Sequence, residues 1–133
     1  MATSAGGEQD VNSVTFTAGS AITVNRFIKV ASDGEVDHAA SAQGAVNGVS
    51  LQAATAQGQA VPCAKPDGGI VYVEAGAAIS LGADAATDSS GRVITYVSGT
   101  VNNKCWGTVL RAAGAAGEIV PVQFFMKATD GGT

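Results

Sequence analysis

The sequence predicts an all-β fold: a compact small β-barrel or β-sandwich built from two similar halves, with a flexible N-terminal arm. Three observations predict it. The first is composition. Of 133 residues, 25 are Ala, 18 Gly and 16 Val, against only 3 Leu. A helical bundle needs Leu-rich stripes, whereas Val with scattered Gly suits short strands and tight turns. The second is an internal repeat. Gly48–Cys63 (GVSLQAATAQGQAVPC) aligns with Gly107–Val122 (GTVLRAAGAAGEIVPV) at an offset of 59, with 8 of 16 positions identical. A weaker match at offset 57 sets Ile22 and the Ser32–Val36 turn opposite Ile79 and Ser89–Val93. The third is the alternation at the C-terminal end, where Val120, Val122, Phe124 and Met126 share one face of a strand.

Taken in order, residues 1–13 are small, polar and aperiodic, and read as the arm. Residues 14–127 form the β domain, with repeat halves at about 22–63 and 79–122, and 128–133 form a tail. Strands are expected near 13–17, 22–30, 46–52, 59–64, 70–75, 92–97, 106–111 and 118–126. Ser32-Asp-Gly, Pro66-Asp-Gly-Gly and Ser89-Ser-Gly supply the turn chemistry between them. Ala39–Ala45 and Ala112–Ala116 are expected to form at most one helical turn each, since neither carries the large apolar residues that would anchor a longer helix. Barrel and two-sheet sandwich fit equally well.

The last strand has an unusual second face. Ile119, Pro121, Gln123 and Phe125 are too apolar to be simply solvated. Pro121 also removes a ladder donor, which favours an edge or a bulge. An apolar face on an edge strand suggests burial against another protein chain; burial under the chain's own arm is the alternative. Trp106, the sole Trp, suits either an interface anchor or the core. Val11 and Val14, where the arm meets the domain, complete the candidate interface set.

No catalytic constellation stands out. The one His, His38, follows Asp37 in a polar stretch and reads as a surface residue, and no Gly-x-Ser-x-Gly turn is present. Cys63 and Cys105 match Val122 and Val46 in the repeat, so both read as small core residues rather than as a disulfide or metal ligands. Asp84, Asp88 and Ser90 crowd one loop without the spacing of a calcium loop, and read as turn formers. Gly114-Ala-Ala-Gly117 is followed by no Gly-Lys-Ser/Thr, so it is not a phosphate loop. No cofactor or metal is expected. A net charge of −4 disfavours a nucleic-acid partner. No run approaches the ~18 apolar residues of a membrane helix, and the N-terminus does not read as a secretion signal. Two cysteines imply no oxidising compartment, so synthesis in a host cytoplasm is expected.

Two segments carry a family resemblance. Ala75–Val93 (AGAAISLGADAATDSSGRV) and Trp106–Val122 (WGTVLRAAGAAGEIVPV) together resemble the capsid cement, or head-decoration, proteins of tailed bacteriophages. The family pattern runs G-x-x-I-x-x-G-x-x-V, then D-x-x-G-R-V, then G-x-A-L-x-A-A-x-A-G-E-x-V-x-V. Here Ala77 and Ala78 precede Ile79, and Thr108-Val109 replace the small pair before Leu110. The resemblance extends from about Ala18 to Gln123 and leaves the arm uncovered. It implies a non-enzymatic β protein on the outer face of a phage head. The implied partner is the major capsid protein, at junctions between its subunits, where the protein stabilises the expanded shell. It also implies a homo-oligomer, with a trimer favoured over a dimer. An arm that orders on docking is expected to strengthen this binding without contributing to the fold. A glycan- or receptor-binding module of a fibre is the competing reading, but it needs a cluster of exposed aromatics, and Trp106, Tyr72, Tyr96 and the four Phe are dispersed. A small hydrolase is a third.

Overall fold

The computed structural model describes residues 12–97 and 103–129. It is all-β, and no helix occurs among these residues. The strands are β1 (Ser13–Thr17), β2 (Phe27–Val30), β3 (Val36–His38), β4 (Gly48–Ser50), β5 (Ala60–Ala64), β6 (Asp67–Glu74), β7 (Ala85–Thr87), β8 (Val93–Thr95), β9 (Lys104–Val109) and β10 (Ile119–Thr129). β1–β5 form one antiparallel sheet in the order β1-β5-β4-β2-β3. In the second half β6-β10-β9 and β7-β8 form separate sheets, tied by a bridge between Asp84 and Thr108 and by Val109 N–H donating to Ala83 C=O at 2.9 Å. The order β6-β10-β9-β7-β8 therefore repeats that of the first half. The sheets pack as a sandwich-like body without closing into a barrel.

The duplication is written in the backbone bonding. Ile22 exchanges two hydrogen bonds with Ala54 at 2.8 and 2.9 Å, and Ile79 does the same with Ala113 at 3.0 and 2.9 Å. Ala18 bridges Val36 as Ala75 bridges Val93, both in parallel. Thr15 lies opposite Pro62 as Tyr72 lies opposite Pro121. These pairs obey the offsets of 57 and 59 read from the sequence. The repeat reaches further than its expected limits, because β1 and β6 belong to it. The glycine that opens each copy of the motif is required by close approach. A Cβ on Gly48 would stand 2.6 Å from Ala64 O, and one on Gly107, at φ 124°, would overlap Gln123 O.

Several expectations are corrected. The single strand expected at 22–30 is broken: Ile22 makes only its bridge, Asn25 takes φ 64°, and the strand begins at Phe27. β3 and β7, each three residues long, went unpredicted. Neither Ala-rich stretch makes a helical turn. Residues 39–45 turn tightly, with Gly44 N–H donating to Ser41 C=O, and Ala113 is claimed by Ile79. β10 runs to Thr129, into the expected tail, where Ala128 and Thr129 pair with Cys105 and Lys104. It is also the central strand of its sheet, not an edge. Pro121 is tolerated there because it lies just past the paired stretch of β9. Its carbonyl accepts from Leu110 N–H at 2.8 Å, and the missing donor would face the same side, where the ladder has ended. Residues 1–11 of the expected arm and the last four residues of the tail lie outside the described residues, while the end of the arm is part of the sheet: Ser13 opens β1 and Asn12 C=O accepts Lys65 N–H at 2.9 Å.

Two apolar clusters fill the interior. Ala18, Ile22, Ile28, Val36, Ala54, Val61 and Cys63 form a small one inside the first half. The larger one joins the halves: Phe27, Val49 and Ala64, from the opposite face of the first sheet, pack with Val71, Val73, Trp106, Val109, Val120, Val122 and Phe124. The first sheet thus buries side chains on both of its faces, although β1 stays largely exposed, and the second half completes its core with side chains of the first.

Candidate functional site

Alternation along β6 and β10 decides what the second half exposes. Val71, Val73, Val120 and Val122 point inward and are fully buried. Their neighbours point out. Register sets Tyr72 beside Pro121 and Ile70 beside Gln123, and Leu110 extends the first row through its bond to Pro121. Ile70, Tyr72 and Leu110 are 47%, 39% and 37% exposed. Ile119, Pro121 and Phe125 are half-buried, and Gln123 is exposed. The face spans β6 and β10 and reaches Leu110, just past β9, with charges at the two ends of β6: Asp67 opposite Phe125 and Glu74 opposite Ile119. Ile70, Tyr72 and Leu110, which share this face, are not singled out by the sequence reading. The alternation of 70–74 around Val71 and Val73 carried the signal, but only the register joins it to β10.

The equivalent face of the first half is chemically different. Ser13, Thr15 and Ala60 stand where Ile70, Tyr72 and Ile119 stand, and all three are exposed. Small, mostly polar residues there require no cover, whereas a large apolar face in water costs about 25 cal/mol for each Å² left uncovered.

A second feature is a groove of about 380 Å³ beside β1. Val14, Phe16, Val30, Val46, Pro66 and Trp106 line it, and Lys65 is its charged residue. Val14 and Val30 are each 37% exposed. The structure therefore divides the candidate residues. Ile119, Pro121, Gln123 and Phe125 share the β10 segment, Val14 belongs to the groove, and Val11 falls outside the described residues. Trp106 is 5% exposed and packs 6.3 Å from the Phe124 ring, with no partner for its indole N–H. It serves the core and also walls the groove.

The remaining polar groups are structural. His38 is half-buried on β3, and its Nε2 accepts Thr23 N–H at 2.9 Å, so the ring is a backbone acceptor rather than a free surface group. Burial first, and the Arg26 charge second, pull its pKa below the ordinary value against the opposing effect of Asp37. With that nitrogen engaged, the ring holds no base aimed at a hydroxyl; Ser20 Oγ donates instead to Asp37 at 2.7 Å. Asp88 closes its turn by accepting from Ser90 and Arg92 N–H at 2.8 and 2.9 Å, while Asp84 pairs with Lys127 at 2.6 Å. The turn-former reading thus holds for Asp88 but not for Asp84, which lies in a bridge with Thr108 and reaches across to β10. Cys63 and Cys105 are free and buried, and burial pushes the Cys63 thiol up to about 11. Among the described residues no three metal-ligating side chains converge.

A duplicated β scaffold whose exposed features, among the described residues, are an apolar face and an apolar groove defines a class: a β scaffold that presents apolar surface. Comparison with known proteins makes this specific. The model of the phage cement protein family matches residues 7–124, and the chain belongs to that family. Among solved structures, the chain is similar in fold to the N base of head fiber gp8.5 of bacteriophage phi29, with 18% identity and a TM-score of 0.66 over 89% of this chain and 99% of that one. No curated protein matches the sequence. The protein is a structural component of a phage virion.

Proposed function

We propose that the protein docks on the outer surface of a phage capsid at capsomer junctions, where it stabilises the expanded head. The docking surface is the outer face of β6 and β10, extended to Leu110 just past β9, with Ile70, Tyr72, Leu110, Ile119, Pro121 and Phe125 as its apolar contacts and Gln123 as its polar one. The observation that carries this reading is the difference between the two equivalent faces. At three equivalent positions the second half carries exposed Ile70 and Tyr72 and half-buried Ile119, and the first half carries exposed Ser13, Thr15 and Ala60. Solubility of the free chain favours the second set, so the first set is explained by a partner that covers it. Cement acts by repetition. A patch on the order of 800 Å² per partner is a standard interface, and an oligomer engaging several equivalent sites gains further through effective concentration. Binding only the expanded lattice then stabilises it by mass action.

The test uses the repeat as its own control. Ile70→Ser with Tyr72→Thr installs residues that the first half already accommodates at equivalent exposed positions. Heads lacking this protein are titrated with wild type and with the double variant, and bound protein is measured by pelleting and by electron microscopy. The variant is expected to bind at least tenfold more weakly, which corresponds to about 1.4 kcal/mol, with its melting temperature nearly unchanged. Equal binding by the two proteins would reject this face as the docking surface.

A further inference from the structure

The halves are joined by a plug and a groove. Segment 24–27 of the first half is the plug. Asn25 C=O accepts Glu74 N–H at 2.9 Å, Phe27 N–H donates to Gly91 C=O at 2.7 Å, and the Phe27 ring lies 5.8 Å from that of Phe124. Phe27 is buried there with Val71, Val73 and Trp106.

The chain contains both parts a second time, unjoined. Segment 81–84 is the equivalent of 24–27. Gly82 at φ 83° repeats the left-handed Asn25 at φ 64°, and Tyr96 N–H bonds to Asp84 C=O as Ala39 N–H bonds to Phe27 C=O. Leu81, at the tip, is 68% exposed, the most of any large apolar side chain among the described residues. The receiving positions recur in the first half: Val14 and Phe16 stand for Val71 and Val73, Lys65 for Phe124, Thr17 for Glu74 and Gly34 for Gly91. Of these, Val14, Phe16 and Lys65 line the open groove of about 380 Å³, and Thr17 and Gly34 hold the backbone positions equivalent to the two bonded ones. A Cβ on Gly91 would meet Phe27 O at 2.5 Å, whereas one on Gly34 would meet nothing. A true two-fold between the halves would have made both junctions. This arrangement makes one and leaves a plug and a groove on the same molecule.

We propose that the groove of the first half receives the Leu81 turn of a second copy of this chain, head to tail. Thr17 N–H of one copy then donates to Gly82 C=O of the next, and Asp84 N–H of that neighbour donates to Gly34 C=O. Leu81 takes over the filling role of Phe27, because Asp84, the positional equivalent of Phe27, is held by Lys127. Such a contact is heterologous, so it closes into a ring or runs on as a fibre, according to the angle between copies. It goes beyond head binding and is measurable on the free protein.

The experiment is sedimentation velocity on the full chain over a range of concentrations, with Leu81→Asp and Val14→Asp. Both side chains are substantially exposed, and circular dichroism confirms that each variant folds. Wild type is expected to self-associate, and each variant to associate more than tenfold more weakly. Leu81→Asp keeps its groove and Val14→Asp keeps its plug, so an equimolar mixture recovers a one-to-one dimer and nothing larger. Ile70→Ser/Tyr72→Thr is expected to self-associate like wild type, which separates this contact from the head-binding face. A Leu81→Asp variant assembling like wild type overturns the proposal, as does a mixture that stays monomeric. A wild type that is monomeric at every concentration also overturns it; if Val14→Asp then weakens head binding, the groove belongs to a capsid polypeptide.

Discussion

The first half and the second half share a strand order and a hydrogen-bonding scheme, and they divide the work differently. The first sheet buries side chains on both faces, with Ile28, Val61 and Cys63 on one side and Phe27, Val49 and Ala64 on the other. The second sheet is buried on one face and presents large apolar residues on the other. Duplication therefore supplied two equivalent faces: that of the first half is covered by the second half at Phe27, Val49 and Ala64 and carries small residues at Ser13, Thr15 and Ala60, where it meets water, whereas that of the second half carries large apolar ones. The second half, whose interior is shared with Phe27, Val49 and Ala64, depends on the first for its core. The first half holds a cluster of its own.

That dependence sets the largest expected effect. Phe124→Ala removes the ring packed between Phe27 and Trp106, at 5.8 and 6.3 Å from them. A Phe-to-Ala change at a buried site costs about 3–5 kcal/mol. Denaturant unfolding is expected to show a loss of this size for Phe124→Ala, comparable to much of the stability of a small domain. Ile28→Ala, confined to the first half's own cluster, should lose less, because it leaves the junction intact. Equal losses would mean that the two clusters unfold as one unit with no asymmetry between the halves.

A smaller effect separates ion pairs by location. Arg26 crosses the junction to Glu74 at 3.1 Å, with side chains 15% and 20% exposed, and also donates to Ser90 C=O at 3.0 Å. Hydrogen bonds to charged groups that are largely out of water are worth about 1.5–3 kcal/mol, and a double-mutant cycle between Arg26 and Glu74 should return a coupling near the lower end of that range. The cycle between Lys127 and Asp84, both about two-fifths exposed within the second half, should return far less, because water and salt screen it. A stronger coupling for the outer pair would reverse the assignment of which contacts hold the halves together.

Why one half was easier to read than the other follows from the same contrast. The alternation of Val120, Val122, Phe124 and Met126 marked the inner face of β10 correctly as far as Phe124, whereas Met126, where the register with β9 shifts, is exposed; the paired Leu-Val-Pro positions marked the duplication, because large residues in register leave a periodic trace. β3 and β7 left none: three residues such as Ala85-Ala86-Thr87 carry no period and exist only because β8 and β9 lie beside them. The outer face was half legible. Ile119, Pro121 and Phe125 could be placed on one side of a strand, but Ile70 and Tyr72 join them only through the register of β6 on β10. Pro121 misled as an edge signal, since the cost of its missing donor depends on where β9 stops. The groove was illegible, because Val14, Val46 and Trp106 come from three distant segments that meet only when the halves pack.

The smallest expected effect is also confined to one half. His38 sits where the second half has Thr95, so only the first half carries a group that titrates near neutrality. Its pKa is held below the ordinary value of about 6.5, chiefly by burial and then by Arg26, with Asp37 opposing. A depressed folded value means that the unfolded chain binds the proton first. The stability that neutral His38 contributes is therefore complete above about pH 6.5 and is lost as the pH falls through that value toward the folded one. Protonation also removes the Nε2 lone pair that accepts Thr23 N–H at 2.9 Å. Melting temperature should thus fall modestly from about pH 7.5 to about pH 5.5, a window above the ordinary carboxylate range. His38→Gln, whose amide oxygen can accept the same N–H, should flatten that fall without lowering stability at the upper pH. If the variant keeps the full wild-type slope, the acid sensitivity lies elsewhere than in this one bond of the first half.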